Sequence, residues 1–339
     1  MDNPILNLGL VGAGRIGRVH AEHLRHSLAD ANLVIVADAK ETAARDCAER
    51  LQIPEHTTDF RRVTDHSGVD AVVICSPTDT HLGVIQAASA AGKHIFCEKP
   101  IDSDLGRIDQ ALAAVRKARV VFQVGFNRRF DANFRRVRKA VVEGEIGTPH
   151  QLHIISRDPA PPPIEYVKQS GGLFTDMTIH DFDMARFLVG DEVVQVYATG
   201  AALVDPRIGE AGDLDTATVL LEFAHGAVGV IENSRRAVYG YDQRVEVFGS
   251  GGSARIDNNY PNTAILSGAK TVRRDLPLNF FMERYLASYL LELEQFIEAA
   301  RRCGPSPLSG EEGRIPVVMA IAARKSWELK RPVRLVEIG

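Results

Sequence analysis

The stretch ILNLGLVGAGRIG, residues 5–17, decides the fold of the first part of this chain. Residues 5–11 are mostly apolar and predict a short buried strand, which leads directly into a G-x-G-x-x-G pattern. In that pattern Gly12 permits a tight turn, Gly14 lets a pyrophosphate approach the backbone, and Gly17 lets the next helix pack on the strand. Because these glycines stand between a predicted strand and a predicted helix, they indicate a dinucleotide-binding βαβ unit.

A carboxylate ends the second strand of this unit. Residues 18–28 are amphipathic and predict a helix, residues 32–37 predict a strand, and Asp38 follows directly. A strand-terminal acid about 20 residues beyond the glycines accepts hydrogen bonds from the ribose hydroxyls and disfavours the 2′-phosphate of NADP. The sequence therefore predicts NAD rather than NADP. Lys40 either offsets part of that repulsion or is a solvent-exposed lysine at the start of a helix.

Alternating strand-like and helix-like segments continue this pattern. Strands are predicted at residues 69–75, 94–97 and 120–124, and the last helix between them at residues 103–118. This order predicts an α/β fold with a doubly wound parallel sheet, whose ligands lie beyond the carboxyl ends of the strands. The predicted cofactor contacts are Gly12, Gly14, Arg15, Ile16, Gly17, Asp38, Ser76, Thr78, His81, Glu98 and Lys99. For Arg15, a position over the pyrophosphate and a position in solvent are equally compatible with the sequence.

The later part of the chain has a different pattern. From residue 193 to residue 256 apolar and polar side chains alternate, and Ala224-His225-Gly226 predicts a hairpin turn. An α+β domain with a large, mostly antiparallel open sheet is therefore expected, with one face on helices and the other on a second subunit. We predict a Rossmann domain at 1–125 and a substrate-binding and oligomerisation domain at 126–339, with a helix at 316–329 that packs back on the first domain.

Composition limits the classes of partner. A chain of 339 residues with 45% hydrophobic and 25% charged residues is long enough for two globular domains. Its net charge of -4 gives no reason to expect nucleic acid or an anionic membrane as a partner. The sequence has no run of about 18 apolar residues, so a soluble cytoplasmic protein is expected. The four cysteines are widely spaced, so no disulfide framework is expected. The sequence has no tight His/Cys/Glu cluster, so no metal site is expected.

The stretch GGLFTDMTIHDFDMARFL, residues 171–188, is the first candidate for chemistry. Asp176, His180 and Asp183 fall at i, i+4 and i+7, so a helix would place them on one stripe. A carboxylate one turn from an imidazole orients the ring and stabilises its cation, which suits a general base. The alternative is a surface helix whose first-turn aspartate interacts with the helix dipole.

Glu98-Lys99-Pro100 is the second candidate, because it directly follows a predicted strand. Pro100 keeps Lys99 extended and out of a helix. A lysine at the carboxyl end of such a strand is expected beside the nicotinamide. An ordinary loop lysine is the alternative reading.

The order of these motifs resembles the glucose–fructose oxidoreductase/inositol dehydrogenase (Gfo/Idh/MocA) family along essentially the whole chain. The resemblance is carried by the glycine pattern, Asp38, Glu98-Lys99-Pro100, residues 125–130 (GFNRRF), and Gly171-Gly172 followed by Asp176 and His180. Within the family, residues 156–159, 176–187 and 239–249 look most similar to the inositol 2-dehydrogenases.

The resemblance implies a function and a site. Lys99, Asp176 and His180 would form the catalytic set without a metal, and Arg129 would contact the cofactor. The implied substrate contacts are Lys99, Arg157, Asp158, Asp176, His180, Tyr241 and Tyr285. Arg157 and Asp158 could instead belong to a connecting segment with only a structural role. The two tyrosines could instead lie at the edge of the hydrophobic core without contacting substrate. The implied reaction is NAD-dependent oxidation of a ring hydroxyl of a cyclic polyol, and the expected substrate is myo-inositol, which would give 2-keto-myo-inositol. The protein is expected to be a cytoplasmic homotetramer.

Two other functions stay open at this point. One is a dehydrogenase of the same family that acts on scyllo-inositol or an aldose, because pocket residues decide the substrate. The other is a non-catalytic NAD-binding sugar sensor, since fold does not determine function. Lys99 and His180 together argue against the sensor, which needs neither.

Overall fold

The structure, a computed structural model, describes residues 5–339 and contains two compact units. The first unit comprises the chain up to Asn127 together with Ala287–Ile315. The second comprises Arg128–Leu286 and Pro316–Gly339. Among the described residues, no helix has both the length and the apolar character needed to cross a membrane.

A six-stranded parallel sheet forms the centre of the first unit. Its strands are β1 (Leu6–Val11), β2 (Ala31–Ala37), β3 (Glu55–Thr57), β4 (Ala71–Ile74), β5 (His94–Glu98) and β6 (Phe122–Gly125). They lie in the order β3-β2-β1-β4-β5-β6, and every pair is parallel. This arrangement confirms the predicted doubly wound sheet. The order reverses between β1 and β4, where ligands bind in such sheets.

Helices connect these strands. They are α1 (Arg15–His26), α2 (Glu41–Leu51), α3 (Arg61–Thr64), α4 (Thr78–Ala90) and α5 (Leu105–Ala118). The helix α5 begins where the Asp104 side chain accepts a hydrogen bond from the Arg107 backbone N–H, as an N-cap residue does. The central strand β4 is wholly buried, as a strand with helices on both faces should be.

The second unit is built on a seven-stranded mixed sheet. Its strands are β7 (Pro149–Arg157), β8 (Val193–Ala201), β9 (Thr216–Phe223), β10 (Val228–Ser234), β11 (Asp242–Gly249), β12 (Gly252–Ile256) and, at the edge, Val333–Arg334. Within the described chain, β7 and β10 form its one parallel pair, so the sheet is mostly antiparallel, as predicted. A separate hairpin pairs β13 (Ile265–Ser267) with β14 (Val272–Arg274), and the edge strand Val333–Arg334 is β15.

The turn between β9 and β10 also agrees with the prediction. The Phe223 N–H donates to the Ala227 carbonyl, and Gly226 has a φ of 95°. On β9, Leu221 and Phe223 are buried whereas Leu220 is half exposed. One face of the sheet is therefore covered within the unit.

The helices of the second unit lie on the buried face or in connections. They are α6 (Ala132–Val142), α7 (Ile164–Val167), α8 (Ile179–Val189), α9 (Pro206–Glu210) and α10 (Phe281–Arg284). A π-helical segment, Phe174–Thr178, leads directly into α8. The sequence pattern predicted a single regular helix here and missed the π segment.

The last two helices correct the predicted domain boundaries. In α11 (Leu286–Arg302), Leu293 and Phe296 belong to the same buried cluster as Leu8 and Phe96 of the first unit. The helix α12 (Gly310–Leu329) begins earlier than the predicted 316, and the chain from Pro316 onward belongs to the second unit. The segment that returns to the Rossmann sheet is therefore Ala287–Ile315, because α11 carries the large apolar side chains that complete its core.

Candidate functional site

The three glycines of the G-x-G-x-x-G loop differ in how much space surrounds them. Gly12 has a φ of 100°, and a Cβ there would lie 2.5 Å from the backbone carbonyl carbon of Cys75. A Cβ on Gly17 would lie 1.9 Å from the Gly12 carbonyl oxygen, whereas no atom lies within 4 Å of the Cβ position of Gly14. The first and third glycines thus allow close packing, and the second faces open space. That cradle and the N-terminus of α1 suit a pyrophosphate.

Asp38 is positioned at the end of β2 by two backbone donors. Its Oδ2 accepts from the Ala13 N–H and its Oδ1 from the Lys40 N–H, each at 2.8 Å. The carboxylate therefore joins the glycine loop to the start of α2. A carboxylate here, next to the glycine loop, fits the ribose of NAD.

The loops after β4 and β5 are tied together inside the first unit. His81 is buried, with Nε2 at 2.8 Å from the Ser76 carbonyl oxygen and Nδ1 at 2.9 Å from the Pro100 carbonyl oxygen. This residue, predicted to contact the cofactor, therefore bridges two loops. The Lys99–Pro100 peptide bond is cis, and Lys99 is half-buried. Glu98, another predicted cofactor contact, pairs with the ring of His20 at 2.7 Å.

The Asp176 carboxylate of the second unit is held from two sides. Tyr166 donates its hydroxyl to Oδ1 at 2.8 Å, and both terminal nitrogens of Arg235 lie 3.2 Å from Oδ2. Arg235 is only 1% exposed. Asp176 lies in the π segment and His180 in the first turn of α8, and both are half-buried. Because a π-helical turn is wider than an α-helical one, the α-helical spacing assumed for the stripe does not apply across this junction.

The sequence pattern did not indicate Arg235 as a site residue. The register of the sheet explains its position next to Asp176. Parallel pairing sets Ser234 of β10 beside Arg157 of β7, so Arg235 and Asp158 leave the sheet at the same edge. The Asp158 N–H donates to the Ser234 carbonyl at 2.9 Å. Burial raises the pKa of the Asp158 carboxyl to about 6, against an opposing effect of Arg235 and with a further rise from Asp176.

Comparison with known proteins places these features in a family. Residues 6–126 match the oxidoreductase family with an NAD-binding Rossmann fold, and residues 134–255 match the GFO/IDH/MocA C-terminal domain. The chain belongs to the Gfo/Idh/MocA oxidoreductase family. This confirms the resemblance, the enzyme class and the NAD-binding domain expected from the sequence.

Individual members of the family are similar over nearly the whole chain. A myo-inositol 2-dehydrogenase from Thermotoga maritima is 48% identical over 98% of this chain and 99% of its own length. A solved myo-inositol dehydrogenase from Corynebacterium glutamicum has a TM-score of 0.92 and 41% identity, covering 97% of this chain and 98% of its own. A solved scyllo-inositol dehydrogenase from Lactobacillus casei, with bound NAD(H) and scyllo-inositol, has a TM-score of 0.92 and 30% identity, covering 98% of this chain and 99% of its own.

Two arginines of this Gfo/Idh/MocA protein are paired with aspartates of α8. Arg128 and Asp181, both buried, are 2.5 Å apart, and Arg129 lies 2.7 Å from Asp183. Burial raises the pKa of Asp181, and Arg128 opposes that rise. Asp183, the third member of the predicted stripe, is therefore a salt-bridge partner. Arg129, the predicted cofactor contact, is held by it.

The remaining predicted substrate contacts, Arg157, Tyr241 and Tyr285, interact with other side chains of the protein. The Arg157 guanidinium lies 3.0 Å from Glu232 and 3.4 Å from Asp242, so it belongs to an ion-pair network on the sheet. Tyr241 and Tyr285 are buried, with ring centroids 6.0 Å apart. Burial raises the pKa of both phenols. Of the predicted set, the structure brings Asp158 and Asp176 together, both beside Arg235.

The raised pKa of Asp158 leads to a prediction about stability. The unfolded carboxyl titrates near its usual 3.8 and the folded one near 6, so the native state loses stability as the pH rises between those values. Asp158→Asn removes that loss, and we expect it to raise the free energy of unfolding by about 1–3 kcal/mol above pH 6, with little change near pH 4. Urea unfolding across this pH range measures the difference. The exposed Asp46→Asn is the control, and a gain independent of pH would contradict the prediction.

Proposed function

We propose that this protein is an NAD-dependent dehydrogenase that oxidises one ring hydroxyl of myo-inositol to give 2-keto-myo-inositol. One observation carries the proposal: the half-buried Asp176 and His180 lie four residues apart where the π segment leads into α8, and the Asp176 carboxylate is held by Arg235. They occur in a chain 48% identical to a protein named myo-inositol 2-dehydrogenase.

In this proposal the first unit supplies the cofactor site. The glycine loop and the N-terminus of α1 hold the pyrophosphate, and Asp38 accepts hydrogen bonds from the adenosine ribose. A nicotinamide bound there would supply the acceptor for the hydride of the carbinol carbon, and this chemistry belongs to the cofactor.

His180 is the proposed general base. One of its ring nitrogens removes the hydroxyl proton as the alcohol becomes a ketone. The Asp176 carboxylate orients His180 and stabilises the imidazolium that forms. Tyr166 and Arg235 fix the carboxylate so that it does not move when the charge on the imidazole changes.

Lys99 is the proposed electrostatic partner of the reacting oxygen. Its ammonium group donates a hydrogen bond to that oxygen and offsets the alkoxide-like negative charge that develops. Asp158 is proposed to accept a hydrogen bond from a neighbouring substrate hydroxyl, because its carboxyl lies beside Asp176 and Arg235.

A panel of polyols tests the reaction. Purified protein is mixed with NAD and, separately, with myo-inositol, scyllo-inositol and glucose, and NADH is followed by its absorbance. We expect the highest kcat/KM with myo-inositol. The scyllo-inositol complex of the Lactobacillus casei relative makes scyllo-inositol the second candidate. A higher kcat/KM for another member of the panel would replace the substrate assignment, and no NADH with any of them would favour a sugar sensor.

Cofactor preference provides a separate prediction. Asp38→Ser removes the acceptor for the ribose hydroxyls, so kcat/KM for NAD should fall about 10- to 100-fold while that for NADP rises. Initial rates with both cofactors measure the change. Lys40→Ala, which alters the exposed neighbour but keeps the carboxylate, is the control. An unchanged NAD preference in Asp38→Ser would contradict the assigned role.

We also propose that the protein is a cytoplasmic homotetramer that associates through the open face of the second sheet. Leu220, Val228 and Phe248 share that face by strand register and are each about half exposed. Exposed apolar side chains gathered on one sheet face favour association. All four cysteines are free thiols, as in proteins of a reducing compartment.

The double variant Leu220→Glu with Phe248→Glu should therefore dissociate the assembly. Two carboxylates on that face would lose their hydration on association, which is unfavourable. Light scattering after size-exclusion chromatography measures the mass, with Leu203→Glu, an exposed site outside the sheet, as the control. A tetramer that persists in the double variant would show that this face is not the interface.

A further inference from the structure

Three ionisable side chains meet inside the first unit, next to the Glu98-Lys99-Pro100 loop. His20 lies on α1, Glu98 ends β5, and Glu292 lies on α11. One ring nitrogen and two carboxylate oxygens of this group all lie within 4.8 Å of one another. None of the catalytic roles proposed for the chain involves His20 or Glu292.

The surroundings of the group are apolar. His20 and Glu292 have no solvent exposure, and the His20 ring packs edge-on against Phe96 and Tyr289, with centroids 5.2 and 5.7 Å apart. Both carboxyl oxygens of Glu292 lack a hydrogen-bond partner within the described part of the chain. A second carboxylate beside Glu98 in such a place would be strongly unfavourable.

Two cysteine side chains also interact with these carboxyl groups, Cys75 with Glu98 and Glu292, and Cys97 with Glu98. Burial raises the pKa of the Cys75 and Cys97 thiols well above their usual value, so both stay uncharged. Burial raises the pKa of Glu292 well above its usual range too, and the neighbouring Glu98 raises it further. The charge balance therefore favours one negative charge in this group rather than two.

We propose that Glu292 carries a proton, so that Glu98 is the one carboxylate of this group, and that His20 holds this carboxylate and so positions Lys99. The positioning part rests on the proposed function, because it assumes the role of Lys99. Glu98 is the last residue of β5, so fixing its side chain fixes the backbone at the point where Lys99 leaves the sheet.

Neighbouring contacts support this arrangement. A Cβ on Gly125 would lie 3.2 Å from the Glu98 carboxyl carbon, so β6 passes close to the Glu98 side chain. Gln123 Nε2 donates to the Glu292 carbonyl at 3.0 Å, which ties α11 to β6. On the far side of the loop, His81 holds the Pro100 carbonyl. The loop that carries Lys99 is thus anchored on both sides.

Infrared spectroscopy tests the protonation state without any turnover. We expect the wild-type protein at neutral pH to show the carbonyl stretch of a carboxylic acid, and Glu292→Gln to lose it. The matched control is Glu294→Gln, an exposed position on the same helix, which should keep the band. Because glutamine is neutral and of similar size, Glu292→Gln should keep the melting temperature of the wild-type protein. Absence of the acid band in wild type, or a divalent metal bound at one per chain that Glu292→Gln loses, would overturn the proposal.

Kinetics test the positioning role. His20→Leu removes the donor to Glu98, and we expect kcat to fall about tenfold while KM for NAD stays unchanged. His20→Gln, whose amide N–H donates in its place, should recover most of the loss. Equal losses in both variants, or unchanged turnover in His20→Leu, would overturn the role of His20. Since the infrared result requires no substrate, it remains valid if the protein proves to oxidise a different polyol or none.

Discussion

Replacing His180 by alanine should lower kcat for myo-inositol oxidation by about 10²–10⁴-fold, because a positioned general base typically contributes that much. The affinity for NAD should stay within about twofold, since the glycine loop and Asp38 belong to the first unit and are unaltered. Steady-state kinetics and fluorescence titration with NADH measure the two quantities separately.

A control is available for the loss of an imidazole. His225 lies in the exposed turn between β9 and β10, and His225→Ala should leave kcat unchanged. Asp176→Asn should lower kcat as well, because it removes the charge that stabilises the His180 imidazolium. Undiminished oxidation by His180→Ala would remove the base assignment, whatever the effect of the other variants.

Replacing Lys99 by alanine is expected to have the second-largest effect. Loss of one donor to a developing oxyanion typically costs about 10²–10³-fold in kcat, and we expect a fall of that size. Lys99→Arg retains the charge but changes its geometry, so it should recover only part of the activity. The exposed Lys117→Ala in α5 is the control in the same unit.

The separate changes of kcat and KM in Lys99→Ala distinguish a role in transition-state stabilisation from a role in substrate binding. A hydrogen bond that strengthens in the transition state lowers kcat when it is lost, whereas uniform binding raises only KM. An unchanged kcat with a raised KM in Lys99→Ala would therefore assign Lys99 to substrate binding alone.

Local sequence predicted the nucleotide unit well. The glycine pattern, its flanking strand and helix, and the strand-terminal Asp38 occupy one contiguous stretch. Their geometry follows from backbone sterics and chain connectivity, so no distant residue is needed to place them. The alternation of apolar and polar side chains between residues 193 and 256 predicted the strands of the second sheet, because one face of a strand such as β9 is buried and the other is not.

The neighbours of the candidate catalytic residues were less predictable. Arg235 follows Asp176 by many residues, and only the parallel register of β7 and β10 brings it beside Asp158. Arg129 was expected to contact the cofactor, and nothing in the sequence indicated that its guanidinium forms an ion pair with Asp183. A charged side chain has the same appearance in sequence whether it is paired or exposed to solvent.

The sequence by itself determined the Rossmann unit, the class of cofactor and the residue types of the candidate catalytic set, since each is encoded in short motifs. Only the tertiary structure decided that α11 completes the first unit, that Arg235 holds Asp176, and that Glu292 is buried beside Glu98. Those outcomes depend on side-chain burial and strand register between distant segments, which periodicity along a single chain does not specify.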